Sequence, residues 1–325
     1  MRLDFHENLL LVFLFALVIA SCKKNNEVEK AIAEINIDVS IERFEQFFGN
    51  SSTNDLPKLK QAYPFMFPKT YSDSFWIAKI KDTLQQELIR ETGKKYKDLA
   101  VEKAEIESLF NHLKYYFPEF NPPTIITTTS SVDYRNKVIV TDTIAIVALD
   151  NYLGKDHYFY GGIQKYIREN FESSQIVVDL ADAYAEKYIY QPQRKTLLDE
   201  MVYFGKKLYF KDIMLPNKTE AERIGYTQQD IDWAKANEHY IWRYFVEREL
   251  LYSNDTKLPR RFINPAPFSK FYLEEIDTDS PGRIGQYMGW QIVKAYMKNN
   301  DVSLRDMLKT KPQDIFDNSK FKPRK

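Results

Sequence analysis

Thr196 to Phe210 reads Thr-Leu-Leu-Asp-Glu-Met-Val-Tyr-Phe-Gly-Lys-Lys-Leu-Tyr-Phe. At about 100° per residue, Leu197, Leu198, Met201, Val202, Phe204, Gly205, Leu208 and Tyr209 fall on one broad apolar face, with Gly205 near its middle. A helix with so wide an apolar face belongs in a core, and a glycine at its centre lets another backbone come close. Ser280-Pro281-Gly282 reads as cap, first-turn proline and entry to a second helix, in which Gly285 and Gly289 lie a turn apart beside Ile284, Met288 and Ile292. The two helices are expected to cross near these glycines. Asp199, Glu200, Tyr203, Lys206 and Lys207 occupy the other face of the first helix, so Glu200 projects from a rigid element with Tyr203 one turn later.

The remaining pattern predicts an α+β fold, mostly helical with a small β-sheet, as one domain over residues 34–325. Strict alternation of Ile35, Ile37, Val39 and Ile41 with Asn36, Asp38 and Ser40 predicts a half-buried strand. A short helix follows over 43–48 and stops at Gly49. Longer helices are predicted over 74–92, closed by Gly93, and over 98–117, closed by Pro118. Beta-branched runs at 124–129, 138–140 and 144–147 predict three or four strands that include a hairpin. Beyond them helices are expected over 174–189, 196–215, 228–252 and 282–298, with short pieces near Leu304 and Asp314. Thr227 and Asp230 form a capping-box pattern at the start of the 228–252 segment, which carries Trp233, Trp242 and Glu247.

Composition narrows the function classes. The chain has 325 residues, 44% hydrophobic and 15% aromatic, enough to bury a sizeable core and to exclude disorder over most of its length. Lys+Arg and Asp+Glu both number 46, so charge gives no reason to expect a nucleic acid. Four histidines lie far apart and Cys22 is the only cysteine, which excludes a disulfide framework and a cysteine-rich zinc site. No Gly-x-Ser-x-Gly elbow and no glycine-rich phosphate loop is present. Carboxylate pairs such as Asp179 with Asp182 do not by themselves signal glycosidase chemistry. No catalytic residue, metal or cofactor is assigned from these residues.

Cys22 carries the most specific signal. Leu9 to Ala20 is an apolar run of signal-peptide length, and it ends in Ile19-Ala20-Ser21-Cys22. Small residues just before a cysteine at the end of such a run form a lipobox. Residues 1–21 are therefore expected to be a lipoprotein signal peptide, Cys22 the lipidated N-terminus, and residues 22–33 a charged tether. Diacylglycerol and N-acyl chains together make a firm membrane anchor. Everything after Cys22 then lies outside the cytoplasm, facing the periplasm, and Lys23 favours the outer membrane over the inner.

Several longer segments carry a resemblance. Besides the lipobox they are Ile41-Glu42-Arg43-Phe44-Glu45, Leu197 to Tyr209, Ile224-Gly225-Tyr226-Thr227, Trp242 to Leu251, Pro265 to Tyr272, Pro281-Gly282-Arg283-Ile284-Gly285 and Gly289-Trp290-Gln291-Ile292-Val293. Through them almost the whole chain resembles the gliding motility lipoprotein GldB family. The resemblance implies an envelope lipoprotein of Bacteroidota, needed for gliding over surfaces and linked to type IX secretion, with other proteins of that machinery as partners. A more distant likeness, to zincin-like metalloproteases, places a His-Glu-x-x-His helix where this chain has Asp199-Glu200-Met201-Val202-Tyr203. Aspartate and tyrosine stand where zinc needs two imidazoles, so the likeness implies a pseudo-peptidase core without its metal ligands. Glu200 and Glu247 are then the candidate vestigial site, with a structural role the favoured reading of Glu200. Tyr203, Trp242 and Trp290 are the candidate groove of a third reading, a peptide- or glycan-binding lipoprotein.

Overall fold

The computed structural model describes residues 27–325, apart from the side chains at 274 and 275. Cys22, the signal segment 1–21 and the first part of the tether lie outside the described residues. Helices of eight residues or more are α1 (Asp73–Lys81), α2 (Thr83–Lys95), α3 (Ala100–Tyr116), α4 (Ile176–Tyr188), α5 (Leu197–Met214), α6 (Gln228–Ala236), α7 (Glu238–Glu247), α8 (Ile284–Asn299) and α9 (Pro312–Ser319). Strands are β1 (Ile41–Arg43), β2 (Thr124–Thr128), β3 (Val138–Val140) and β4 (Ile144–Ala148). They form one sheet in the order β1-β2-β4-β3, mixed in direction. β1 and β4 both run parallel to β2, with Ile41 opposite Ile125 and Ile126 opposite Ile146. β3 and β4 form the expected hairpin, antiparallel, with Val138 opposite Val147.

Alternate residues of a strand face opposite sides, and this sheet uses both. Ile125, Ala145 and Val147 point into the main core, while Ile126 joins a second, smaller cluster with Phe44, Phe48, Leu56, Leu59, Phe67 and Ile80. The main core is organised on α5 and α8, which cross as expected. A Cβ added to Gly205 would lie 2.3 Å from the Gly289 carbonyl oxygen, and one added to Gly289 would lie 1.7 Å from that of Met201. Gly285 serves a different neighbour, since its hydrogen faces the Phe262 carbonyl at 2.9 Å from where a Cβ would stand.

The structure corrects several expectations, each for a local reason. Only Ile41–Arg43 of the alternating segment pairs as a strand. Upstream of it the Ile37 and Val39 N–H groups donate to the side chains of Asn111 and Glu107 on α3, so the alternation reflects packing on a helix. The predicted 74–92 helix breaks at Asp82, whose carboxylate takes the Gln85 N–H at 2.7 Å and starts α2 afresh; α2 then runs through Gly93. The 228–252 helix breaks at Asn237 and ends at Glu247, although its Thr227–Asp230 capping box forms as predicted. Ser280 does not cap α8, because its hydroxyl donates to the Ser269 carbonyl and α8 instead starts at Arg283, in the left-handed region at φ 62°. Residues 27–33 are helical, with Ile32 buried.

The largest correction concerns the polar face of α5. Lys206 and Lys207 are 0% and 4% exposed, and Lys211 is buried with them. Sequence alone places lysine outside because its ammonium must stay hydrated or paired. Here α4 supplies the pairing: Lys207 Nζ lies 2.6 Å from Asp182 and 2.7 Å from Glu186, and Lys211 Nζ lies 3.1 Å from Asp182. Among the described residues Lys206 has no carboxylate beside it. Its ammonium donates to the Thr310 carbonyl at 2.6 Å and the Leu308 carbonyl at 3.3 Å, at the C-terminal end of the helix Leu304–Lys309. That end carries the negative pole of the helix dipole, which suits a cation.

Candidate functional site

The five residues singled out by sequence are not gathered in one place. Asp199 is consumed by the α5 capping box, where its carboxylate accepts the Lys195 and Thr196 N–H groups at 2.9 and 3.0 Å. Glu200 pairs with Arg194 at 3.3 Å, and burial pushes its carboxyl up from the ordinary range against the pull of that arginine. The same guanidinium lies 4.2 Å from the ring centre of Tyr203, a stacked cation-π contact. Glu247 is largely exposed on α7, 3.7 Å from Arg243. It lines a cleft of about 440 Å³ with Tyr240, Tyr244, Phe271 and Leu273, and that cleft does not include Glu200. Trp242 packs on Phe316 and Phe321. Trp290 is wholly buried, donating from Nε1 to Asp212 at 2.7 Å. Neither tryptophan lines either of the two clefts. Among the described residues no group of three or more His, Cys, Asp or Glu is placed to hold a metal ion.

The larger cleft, about 570 Å³, lies elsewhere. Three loops build one side of it. Gly225, with φ +70°, ends the short helix Glu220–Ile224, and its carbonyl accepts from Asn170 at 3.0 Å and from Arg283 at 2.7 Å. Tyr226 hydroxyl donates to the Gly282 carbonyl at 2.5 Å, and burial pushes that phenol up. A Cβ at Gly282 would lie 2.2 Å from the Ala266 carbonyl oxygen, so only glycine lets the 264–267 loop sit this close. Asn264, Pro265 and Pro267 present exposed surface along the rim.

A strained turn precedes three further lining residues, Tyr134, Arg135 and Lys137. Ser131 and Val132 both have φ 59°, a region costly for side-chain-bearing residues and most of all for a beta-branched one. Asp150, wholly buried, holds them there by accepting the Ser130 N–H at 2.9 Å and the Val132 N–H at 2.7 Å. Burial pushes the Asp150 carboxyl up and these donors hold it down, with the net shift upward. The turn carries Tyr134 and the exposed Arg135 to the mouth of the cleft. The Arg135 guanidinium makes no salt bridge among the described residues, although its backbone N–H donates to Asp133 at 3.2 Å.

The floor is charged but paired. Lys137 lies 2.5 Å from Asp179, which also accepts the Tyr152 hydroxyl at 2.8 Å. Burial opposes ionisation of Asp182, but Lys211 and Lys207 outweigh it and hold the carboxyl at about 2. Arg223 pairs with Asp212 at 2.9 Å. With Lys137, Lys211 and Arg223 paired to carboxylates, Arg135 and Arg283 in no salt bridge among the described residues, and Tyr134, Tyr166, Ile167 and Phe204 beside them, the cleft offers mixed apolar and polar surface. None of these lining residues was singled out as a site from sequence. The signal was present in the irregular, Gly- and Pro-bearing segments Ile224 to Tyr226, Pro265 to Pro267 and Pro281 to Arg283, which carry the family resemblance and converge here.

A family model described as gliding motility protein GldB matches residues 25–323. The chain belongs to the GldB family. Membership places it among the proteins of gliding motility, and the GldB family is a lipoprotein family. The match begins after Cys22, which lies outside it as well as outside the described residues. Among those residues no helix is long and apolar enough to cross a membrane. No curated protein and no solved structure matches the chain.

Proposed function

We propose that this GldB-family chain is a lipid-anchored, periplasm-facing component of the gliding machinery that works without catalysis, by holding a polypeptide segment of another machinery protein in the 570 Å³ cleft. One observation carries the reading: three segments of the family pattern, distant in sequence, meet around a cleft also lined by Tyr134 and Arg135, which follow directly on the strained Ser131–Val132 turn. Strain persists where surrounding structure imposes it, and it clusters at ligand-holding sites. The lipobox at Cys22 supports the anchor, and Lys23 favours the outer membrane.

A residual zincin-like metallohydrolase would work through Glu200 and Glu247. Against that reading stand the structural employment of Asp199 and Tyr203 and the salt bridge of Glu200 to Arg194. Complementation of a deletion strain separates the two. Glu200→Gln should restore gliding, whereas Cys22→Ala and the cleft-rim pair Arg135→Glu with Tyr166→Ala should not, at matched protein levels. Normal gliding by the cleft pair would overturn the docking role, and a still, well-folded Glu200→Gln strain would restore the enzymatic reading.

A further inference from the structure

A group of exposed aromatic rings lies away from both clefts. Residues 56–81 wrap the second hydrophobic cluster, and so short a segment cannot cover its own outer rings. Phe65, Tyr71 and Phe75 remain 43%, 48% and 36% exposed, and Phe47 beside them 50%. The rings form two groups, Phe47 stacked on Tyr63 with Phe65 edge-on to it, and Tyr71 stacked on Phe75 at 4.4 Å with both against Trp76, joined beneath the surface by the buried Phe44 and Phe67. Every residue from Pro68 to Phe75 is exposed, so the segment projects and does not line a groove. An apolar patch of this kind marks a contact surface.

Charge decides what it contacts. Between Leu56 and Lys81 lie Lys58, Lys60, Lys69, Lys79 and Lys81, no arginine, and one acid, Asp73, which pairs with Lys60; of the flanking acids, Asp55 caps its own turn through Ser52 and Asp82 caps α2, so the lysines stay in excess. Protein–protein interfaces favour arginine with their aromatics and are depleted of lysine. Lysine with tyrosine, tryptophan and phenylalanine is the combination of the lipid–water interface, where rings sit at headgroup depth and ammonium groups meet anionic phosphates.

We propose that the aromatic, lysine-rich lobe 56–81 is a second membrane contact, which docks on the anionic phospholipid surface of the leaflet carrying the anchor and so sets the orientation of the body. The anchored reading enters only in the choice of bilayer; the cleft plays no part, so either proposal can fail alone. The test uses the mature chain with Cys22→Ser, which carries no lipid, and vesicles of phosphatidylethanolamine with phosphatidylglycerol. We expect co-sedimentation that falls at least about tenfold in high salt and with Lys58→Glu plus Lys69→Glu, both exposed positions outside the core. Phe65→Ser with Tyr71→Ser and Phe75→Ser should abolish it at unchanged circular dichroism. If that triple variant unfolds, the charge-reversal pair alone decides. Failure to bind these vesicles, or binding that the lysine variants leave unchanged, overturns the proposal. Capture of an acidic protein through the same rings, with vesicles ignored, would do so too.

Discussion

Two residues of the α5–α8 core behave against their type. Gly289 is a packing residue: the space a methyl would need is held by the Met201 carbonyl, 1.7 Å away, which is backbone and cannot rotate aside. Gly289→Ala should therefore lower unfolding free energy by about 3 kcal/mol, the upper part of the overpacking range, as read by denaturant titration. Lys206 is a buried cation. Burial pulls its ammonium down to about 8 from 10.5. Between those two values the unfolded chain binds a proton that the folded chain has released, so stability should rise with pH from about 8 toward 10.5. Above pH 10 the buried tyrosines, pushed upward by burial, begin to oppose this as the unfolded phenols ionise first. Melting temperature across that range should lose its rising limb in Lys206→Met.

Among the elements, α5 and the 130–136 turn show how local chemistry places the sites. Thr196 and Asp199 close a reciprocal capping box, so the aspartate serves to start α5. Asp199→Ala should cost about 1 kcal/mol of stability and leave gliding intact, a combination read by denaturation and complementation together. In the strained turn, Ser131 is exposed and sits at φ 59°. Ser131→Gly relieves that conformation at the expense of unfolded-chain entropy, and it should raise stability by about 0.5 kcal/mol. If strain positions Arg135 for a partner, the same change should weaken gliding despite the firmer fold.

At the scale of the whole molecule, the sheet divides the chain into two cores with different outward faces. The main core carries the larger cleft; the smaller one carries the exposed rings of Phe65, Tyr71 and Phe75. A protein held at Cys22, resting one lobe on lipid and keeping a cleft open to solvent, would link a membrane to a polypeptide. Loss of the anchor by Cys22→Ala should stop gliding with the body still folded, detected as protein released from the membrane fraction at an unchanged melting temperature.

Periodicity and local chemistry determined much of this architecture from sequence: the apolar face of Leu197 to Tyr209, the hairpin of β3 and β4, the Thr227 capping box and the glycine crossing of α5 with α8 all follow from contacts short in sequence or from steric size. Only the tertiary structure decided the rest. Whether Ile37 and Val39 pair with a strand or with α3, whether Lys206 and Lys207 face water or the carbonyls and carboxylates of other helices, and whether Trp290 lines a groove or the core depend on partners far along the chain. The cleft is the clearest case. Its loops are irregular and have no period to read, and they become a site only because Gly225, Gly282 and Ala266 are brought within hydrogen-bonding and van der Waals reach by the fold.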